Sequence, residues 1–449
     1  MQTFDTKDEG KDYVLVFSQV HLDFRIPEFE SICSLFNINF DTKSLTAQNH
    51  VVVMRFDDDN CVNRILSRSV LLRSAIELIA SGTNYEELCQ NLENESAYLK
   101  IFNSPEQSFA IRLHSIGRKR DHNYVVGIIN KIGSVLPLDD APVDLAEPVN
   151  VFFVIEENVE ESNQWCLKRV FFGKLVGYGQ GKLKSIYNLS DRIYIGNTTM
   201  DPELSFIQAN LVKANFGTLT LDPFCGTGGL LLAAAHFGSY VFGTEINYQI
   251  ARACGKSSRV GVKYLDSRES IYANFVQYGL QCRLMSILIA DASWHELWHC
   301  LHHGLFDSIV ADPPYGVREK GSKVGSKQRK PHWTLPGSKH VNHYPEKAKY
   351  AMSSVFLDLL DLAAITLVVG GRLSFWFPVF DQVYSEDVLP RHDSFKMVAN
   401  CKQPLSGKYS RRLLVYEKVR LINSGEKAYF KNDCYKELTF REKIFVNAQ

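Results

Sequence analysis

Residues 219–232 read LTLDPFCGTGGLLL. Four residues of strand character end on a carboxylate, Asp222, a proline–glycine turn follows, and an apolar run then opens a helix. Glycines at Gly226 and Gly228 let a ligand come close to the backbone at that helix N-terminus, which is how open parallel sheets bind nucleotides. The spacing is not the GxGxxG of hydride-transfer enzymes, because Leu231 stands where the third glycine belongs and Gly229 is out of step. A nicotinamide cofactor is thereby disfavoured. Taken alone, the turn also suits a purely structural strand-to-helix connection.

Two further acids change that balance. Glu245 ends the run VFGTE, about 20 residues past the loop, where a carboxylate accepts from ribose hydroxyls. Asp291 ends MSILIAD, where an acid can take the exocyclic amine of adenine. Next, FDSIVA delivers Asp312, Pro313, Pro314 and Tyr315 to the same carboxyl edge. Two prolines forbid helix and remove two backbone donors, so carbonyls are left facing outward. A carboxylate beside a carbonyl can accept from a nucleobase amine, restore its lone pair and stabilise the cation formed as a methyl group arrives. Tyr315 offers a face on which a base can stack.

The pattern around these motifs is strands alternating with helices from Tyr194 onward, the signal of a parallel sheet. Asp201-Pro202 caps and opens a helix just before the loop. Upstream, strands are expected at Tyr13–Val20, His50–Phe56, Phe109–Leu113, Val149–Ile155 and Val170–Val176. Helices are expected at Ile26–Leu35, Val62–Ala80, Tyr85–Leu92 and Tyr124–Leu136. The stretch from Gly177 to Lys184, with three glycines and two lysines, reads as a linker.

DPFCGTGG and DPPY together resemble the cofactor and catalytic motifs of S-adenosylmethionine-dependent amino-methyltransferases. IGNTTMDPELSFIQAN, AAAHFGSYVFGTE, NFVQYGL and ADPPYGVRE are similar, more narrowly, to the tRNA guanosine-10 2-amino methyltransferase family, over roughly Tyr194 to Lys418. VDLAEPVNVFFVI and VFFGKLV look like the end of a THUMP domain. The resemblance implies an α/β chain: a ferredoxin-like module at 1–95, a THUMP-like RNA-binding module at 96–185, and a Rossmann-like class I methyltransferase domain at 190–449. That last domain would carry a mostly parallel seven-stranded sheet and a basic insertion at 317–350. It further implies methyl transfer to the 2-amino group of a tRNA guanosine, with Asp312, Pro313, Pro314 and Tyr315 catalytic. Asp222, Phe224, Gly226, Gly228, Glu245 and Asp291 would hold S-adenosylmethionine. A small zinc-containing activator subunit is the implied partner beside tRNA. The family usually has Asp where this chain has Glu245; both are carboxylates. DPPY by itself also admits another RNA guanine or a DNA adenine, and a non-catalytic RNA-binding subunit would keep the same fold.

HELWH at 295–299 matches the HExxH zinc pattern, with His302 and His303 as further ligands, but it falls between two strands of the sheet. Trp294, Leu297, Trp298 and Leu301 are expected to form an apolar helical face there, so no metal is assigned. Arg318, Lys320, Lys323, Lys327, Arg329, Lys330 and Lys339 follow DPPY directly and suit a loop that meets RNA phosphates; Arg118, Lys119 and Arg120 are a second such run. Contacts of that kind must be local, since 50 basic residues balance 50 acidic ones. The length, 449 residues with 45% apolar, suits two or three domains and excludes global disorder. An acidic start, no long uncharged apolar run and ten scattered cysteines without a CxxC pair lead to the expectation of a cytoplasmic chain with no membrane span.

Overall fold

The computed structural model describes residues 10–42, 45–46, 48–253, 269–298, 303–316, 321–325, 346–436 and 440. They form two compact units that divide at Gly181 and Lys182, inside the glycine-rich stretch.

The first unit has strands β1 (Lys11–Phe17), β2 (Val51–Phe56), β3 (Leu72–Gly82), β4 (Phe109–Ile116), β5 (Asn150–Glu161) and β6 (Gln164–Tyr178). Its helices are α1 (Leu22–Phe36), α2 (Asp59–Leu66), α3 (Tyr85–Asn94) and α4 (His122–Gly133). One sheet in the order β2-β1-β3-β6-β5-β4 runs through both expected modules, because β3 pairs antiparallel with β6. Helix α1 starts before Pro27 rather than at it. The helical reading of Val62–Ala80 is overturned. Only α2 is helical, capped by Asp58, which accepts from Cys61 N at 2.9 Å, and the rest is the central strand β3. Leu72 and Ala75 pack into one apolar cluster and Ile76 into another, so a strand buried on both faces lost its period-2 signature.

Glu156 of β5 is fully buried in this unit. Tyr85 and Tyr124 each donate a hydroxyl to Oε1 at 2.6 Å; Ser115 Oγ and Arg120 Nε donate to Oε2 at 2.7 and 2.8 Å. Burial opposes the charge, but Arg120, the two tyrosines and Ser115 outweigh it and hold the carboxyl below its ordinary 4.5. Arg120 is thus a structural cation, while Arg118 and Lys119 stay exposed. Replacing Glu156 with Gln should destabilise the chain by about 3–5 kcal/mol, because the Arg120 charge loses its partner. The lowered pKa makes this contribution present at pH 7 and lost as pH falls below 4.5, so the wild-type and variant melting temperatures should converge in acid. Equal melting temperatures at pH 7 would contradict the role.

The second unit carries helices α5 (Pro202–Leu211), α6 (Gly229–His236), α7 (Ile271–Gln277) and α8 (Met352–Thr366). Its strands are β7 (Leu219–Asp222), β8 (Tyr240–Glu245), β9 (Leu284–Ile289), β10 (Phe306–Ala311), β11 (Ser322–Val324), β12 (Lys347–Lys349) and β13 (Leu367–Phe380). They continue as β14 (Pro390–Arg391), β15 (Phe395–Pro404), β16 (Tyr409–Lys418) and β17 (Tyr429–Phe430). Seven strands order as β15-β16-β13-β10-β7-β8-β9. The pairs from β13 to β9 are parallel, and β16 is antiparallel to both its neighbours. This is the mostly parallel, seven-stranded Rossmann-like sheet expected from the resemblance. From β7 the chain moves outward to β8 and β9, then returns to the other side of β7 as β10. That reversal opens a crevice at the carboxyl ends of β7 and β10.

Helix α5 is buried along all ten residues, with Asp201 Oδ1 accepting from Glu203 N at 2.9 Å as its cap. Phe356 of α8 packs against Phe375 and Phe377 of β13 in the main core. The expected helix at HELWH is instead a short 3-10 turn, His295–Trp298. Trp294 and Leu297 are exposed and Trp298 alone of the described residues turns inward, edge-on to Phe306, because a four-residue turn cannot present an inward stripe. Among the described residues no three metal-ligating side chains gather, and no helix is long and apolar enough to cross a membrane. His299, Leu301 and His302 lie outside the described residues.

Candidate active site

The loop after β7 is held open by its glycines and tied down by its neighbours. Gly226 and Gly228 take φ values of 51° and 81°, the left-handed region that side chains disfavour. At Gly228 a Cβ would come within 2.9 Å of Ile271 Cγ2, so α7 packs closely against the turn. At Gly226 a Cβ would meet no atom within 4 Å, which leaves bare backbone for a ligand. Cys225 N donates to Thr244 O at 3.0 Å, and Thr244 Oγ1 to Pro223 O at 2.9 Å. Thr199 and Thr227 hydroxyls meet at 2.9 Å and join the loop to the segment before α5.

The acids expected at strand ends stand on adjacent strands. Asp222 is fully buried and accepts from Phe224 N at 3.0 Å. Burial drives its carboxyl well above the ordinary range; Phe224 N–H opposes this, and the charges of Glu245 and Asp312 add to it. Glu245, one strand over, receives Gly226 N at 3.0 Å and Asn247 N at 2.7 Å, so one carboxylate holds both the loop and its own turn. Asp291, beyond β9, accepts from Ser293 N and Oγ at 2.9 and 2.8 Å and from Val324 N of β11 at 2.6 Å. That last bond fastens the start of the basic insertion to the cofactor edge. Carboxylates at successive strand ends thus flank an open glycine turn, an arrangement able to accept from ribose hydroxyls and an adenine amine.

On the other side of β7, β10 ends at Asp312, followed by buried Pro313 and half-buried Pro314 and Tyr315. Tyr315 packs against the main core and meets Phe440 edge-on at 6.3 Å. Three residues absent from the sequence-based site converge here. Gln208 of α5, fully buried, donates through Nε2 to Ala311 O at 3.3 Å and to Ser374 O and Oγ at 3.2 and 3.0 Å. Its Oε1 accepts from Trp376 Nε1 at 3.0 Å. Over the Trp376 ring lies the guanidinium of Arg411, 4.1 Å from the centroid, with Nη1 3.9 Å from Asp312 Oδ1. The only hint in the sequence was a glutamine inside an otherwise apolar helix, LSFIQANL. Of the basic insertion, Lys323 lies on β11, its Nζ 5.7 Å from the Tyr350 ring centroid. Arg318, Lys320, Lys327, Arg329, Lys330 and Lys339 lie outside the described residues.

Known proteins resemble this chain in both units. The Tmrp11 THUMP N-terminal domain family matches residues 11–181, and the RMKL-like methyltransferase domain family matches residues 190–328. TrmN from Thermus thermophilus is similar in structure at a TM-score of 0.44 and 17% identity, covering 91% of this chain and 100% of that one. The tRNA (guanine(10)-N(2))-methyltransferase of Saccharomyces cerevisiae is 31% identical over 430 residues, 92% of this chain and 94% of the relative. TRMT11 of Homo sapiens, of the same name, is 35% identical over 448 residues, 96% of this chain and 95% of the relative. Identity of that order, sustained through both units and across nearly the full length of each relative, means that this chain belongs to the tRNA (guanine(10)-N(2))-methyltransferase family of S-adenosylmethionine-dependent enzymes.

Proposed function

We propose that this chain methylates the 2-amino group of guanosine 10 in tRNA. The observation that carries the reading is the crevice where Asp222, at the end of β7, and Asp312, just past β10, stand on neighbouring strand ends at the strand-order reversal. Asp222, Phe224, Gly226, Gly228, Glu245 and Asp291 hold the cofactor; Asp312, Pro313, Pro314 and Tyr315 hold the base. When bound, S-adenosylmethionine supplies a methyl group on a sulfonium, whose sulfur keeps the bonding electron pair as the amine nitrogen takes the carbon. An aryl amine is a weak nucleophile because its lone pair is shared with the ring. Asp312 and the Pro313 carbonyl accept its two N–H bonds, favour the pyramidal nitrogen and stabilise the positive charge that grows there. The methylated nitrogen then gives one proton to the Asp312 carboxylate, which passes it on to water, and is neutral again. Tyr315 fixes the plane of the base.

The first unit serves as the tRNA-binding part, with 1–95 and 96–185 as two modules sharing one sheet, and the enzyme works in the cytoplasm. A small zinc-containing activator pairs with the second unit along β9. Among the described residues this strand ends the sheet, and it exposes Met285, Leu288 and Ile289, an apolar edge suited to strand addition. Changing Met285 and Leu288 together to Lys should weaken co-purification with such a subunit at least about tenfold; undiminished complex formation would move the contact elsewhere. The function itself is tested by mass spectrometry of nucleosides from cells lacking the protein. Loss of N2-methylguanosine from tRNA is expected, whereas loss of a methylated DNA adenine or ribosomal guanine would replace the substrate.

A further inference from the structure

Asp312 works on the amine only as a carboxylate, yet it stands in an acidic neighbourhood. Asp222 stands at the end of the neighbouring strand β7, and the two carboxyl groups repel when both are ionised. Such crowding favours protonation. Arg411 on β16 brings a cation to within 3.9 Å of Asp312, with both side chains largely shielded from solvent. That separation is an ion pair without a hydrogen bond, so the guanidinium attracts the carboxylate and takes no acceptor position the amine needs.

Arg411 is itself fixed from three sides. Its Nε donates to Gln403 Oε1 at 2.6 Å, Nη2 lies 3.4 Å from Met200 Sδ, and its plane rests on Trp376. Trp376 is locked by Gln208, which also bonds the carbonyl of Ala311, the residue before Asp312. One buried glutamine therefore sets both the strand end that bears the carboxylate and the ring that bears its counter-charge.

Building on the assignment of Asp312 above, we infer that Arg411 is a positioning residue for the methyl transfer, a fixed cation that keeps Asp312 ionised and aimed at the amine. The test is the pH dependence of kcat/KM for tRNA, measured on the full chain from about pH 4.5 to about pH 9.5, for wild type, Arg411→Met, Arg411→Lys and Gln403→Ala. Losing the cation should move the acid limb of Arg411→Met upward by about one to two pH units, costing roughly tenfold in rate per unit below the limb. Turnover should recover toward wild type at high pH, and S-adenosylmethionine affinity should hold. Arg411→Lys should restore most of the limb, and Gln403→Ala should shift it less, since the charge remains. If the methionine variant fails to fold, the Gln403→Ala profile decides alone: a limb superposed on that of wild type overturns the inference. So does a methionine variant with a higher KM for tRNA and an unmoved limb, which would make Arg411 an RNA contact. A failure of Asp312 itself to matter would instead show in an active Asp312→Ala protein, whatever Arg411 does.

Discussion

Replacing Asp312 with Ala is expected to lower kcat for tRNA methylation by on the order of a thousandfold, with S-adenosylmethionine affinity nearly unchanged. In the proposed mechanism its carboxylate accepts from the amine, and the charge it stabilises exists only as the methyl group crosses. Asp222 and Glu245, which anchor the cofactor loop, keep their contacts with Phe224, Gly226 and Asn247 when Asp312 is gone. Single-turnover kinetics beside calorimetric titration of the cofactor separates the two quantities. Parallel loss of both would mean that Asp312 holds the cofactor or the fold rather than the substrate.

Replacing Glu245 with Ala should do the reverse. Two backbone donors lose their acceptor, Gly226 N and Asn247 N, and the cofactor ribose loses its carboxylate. Each such bond contributes about 0.5–1.5 kcal/mol, so cofactor affinity should fall about 10- to 100-fold, while turnover at saturating cofactor drops far less. Glu245→Asp keeps the charge but shortens the reach to Gly226, and should fall between. Calorimetry checks this, and unchanged affinity in the alanine variant would place the cofactor elsewhere.

What could be read from the sequence was the chemistry carried by short, contiguous motifs. Asp222 to Gly228 and Asp312 to Tyr315 announce themselves because turn residues, acids and apolar strands sit side by side along the chain. Elements whose partners are remote were harder. Strand β3 is apolar on both faces, so its register on β1 and β6 rather than any local period makes it a strand. The histidine-rich turn at His295 was read as a helix because its tryptophans and leucines have helical spacing, although Trp294 and Leu297 point to solvent. Arg411 lies about a hundred residues past Asp312 and meets it only because β16 runs back antiparallel beside β13, pairing Arg411 with Pro378. Likewise, Arg120 looked like part of a surface run until Glu156 claimed it.

The central claim is that the exocyclic 2-amino group of one tRNA guanine receives the methyl group at the crevice between β7 and β10. It is tested most directly with two synthetic tRNAs that differ only at nucleotide 10, guanosine in one and inosine, which lacks the amine, in the other. Incubated with the protein, the proposed activator subunit and isotopically labelled S-adenosylmethionine, the guanosine tRNA should incorporate one methyl per molecule as N2-methylguanosine, and the inosine tRNA none. Equal incorporation into the inosine tRNA would contradict the claim.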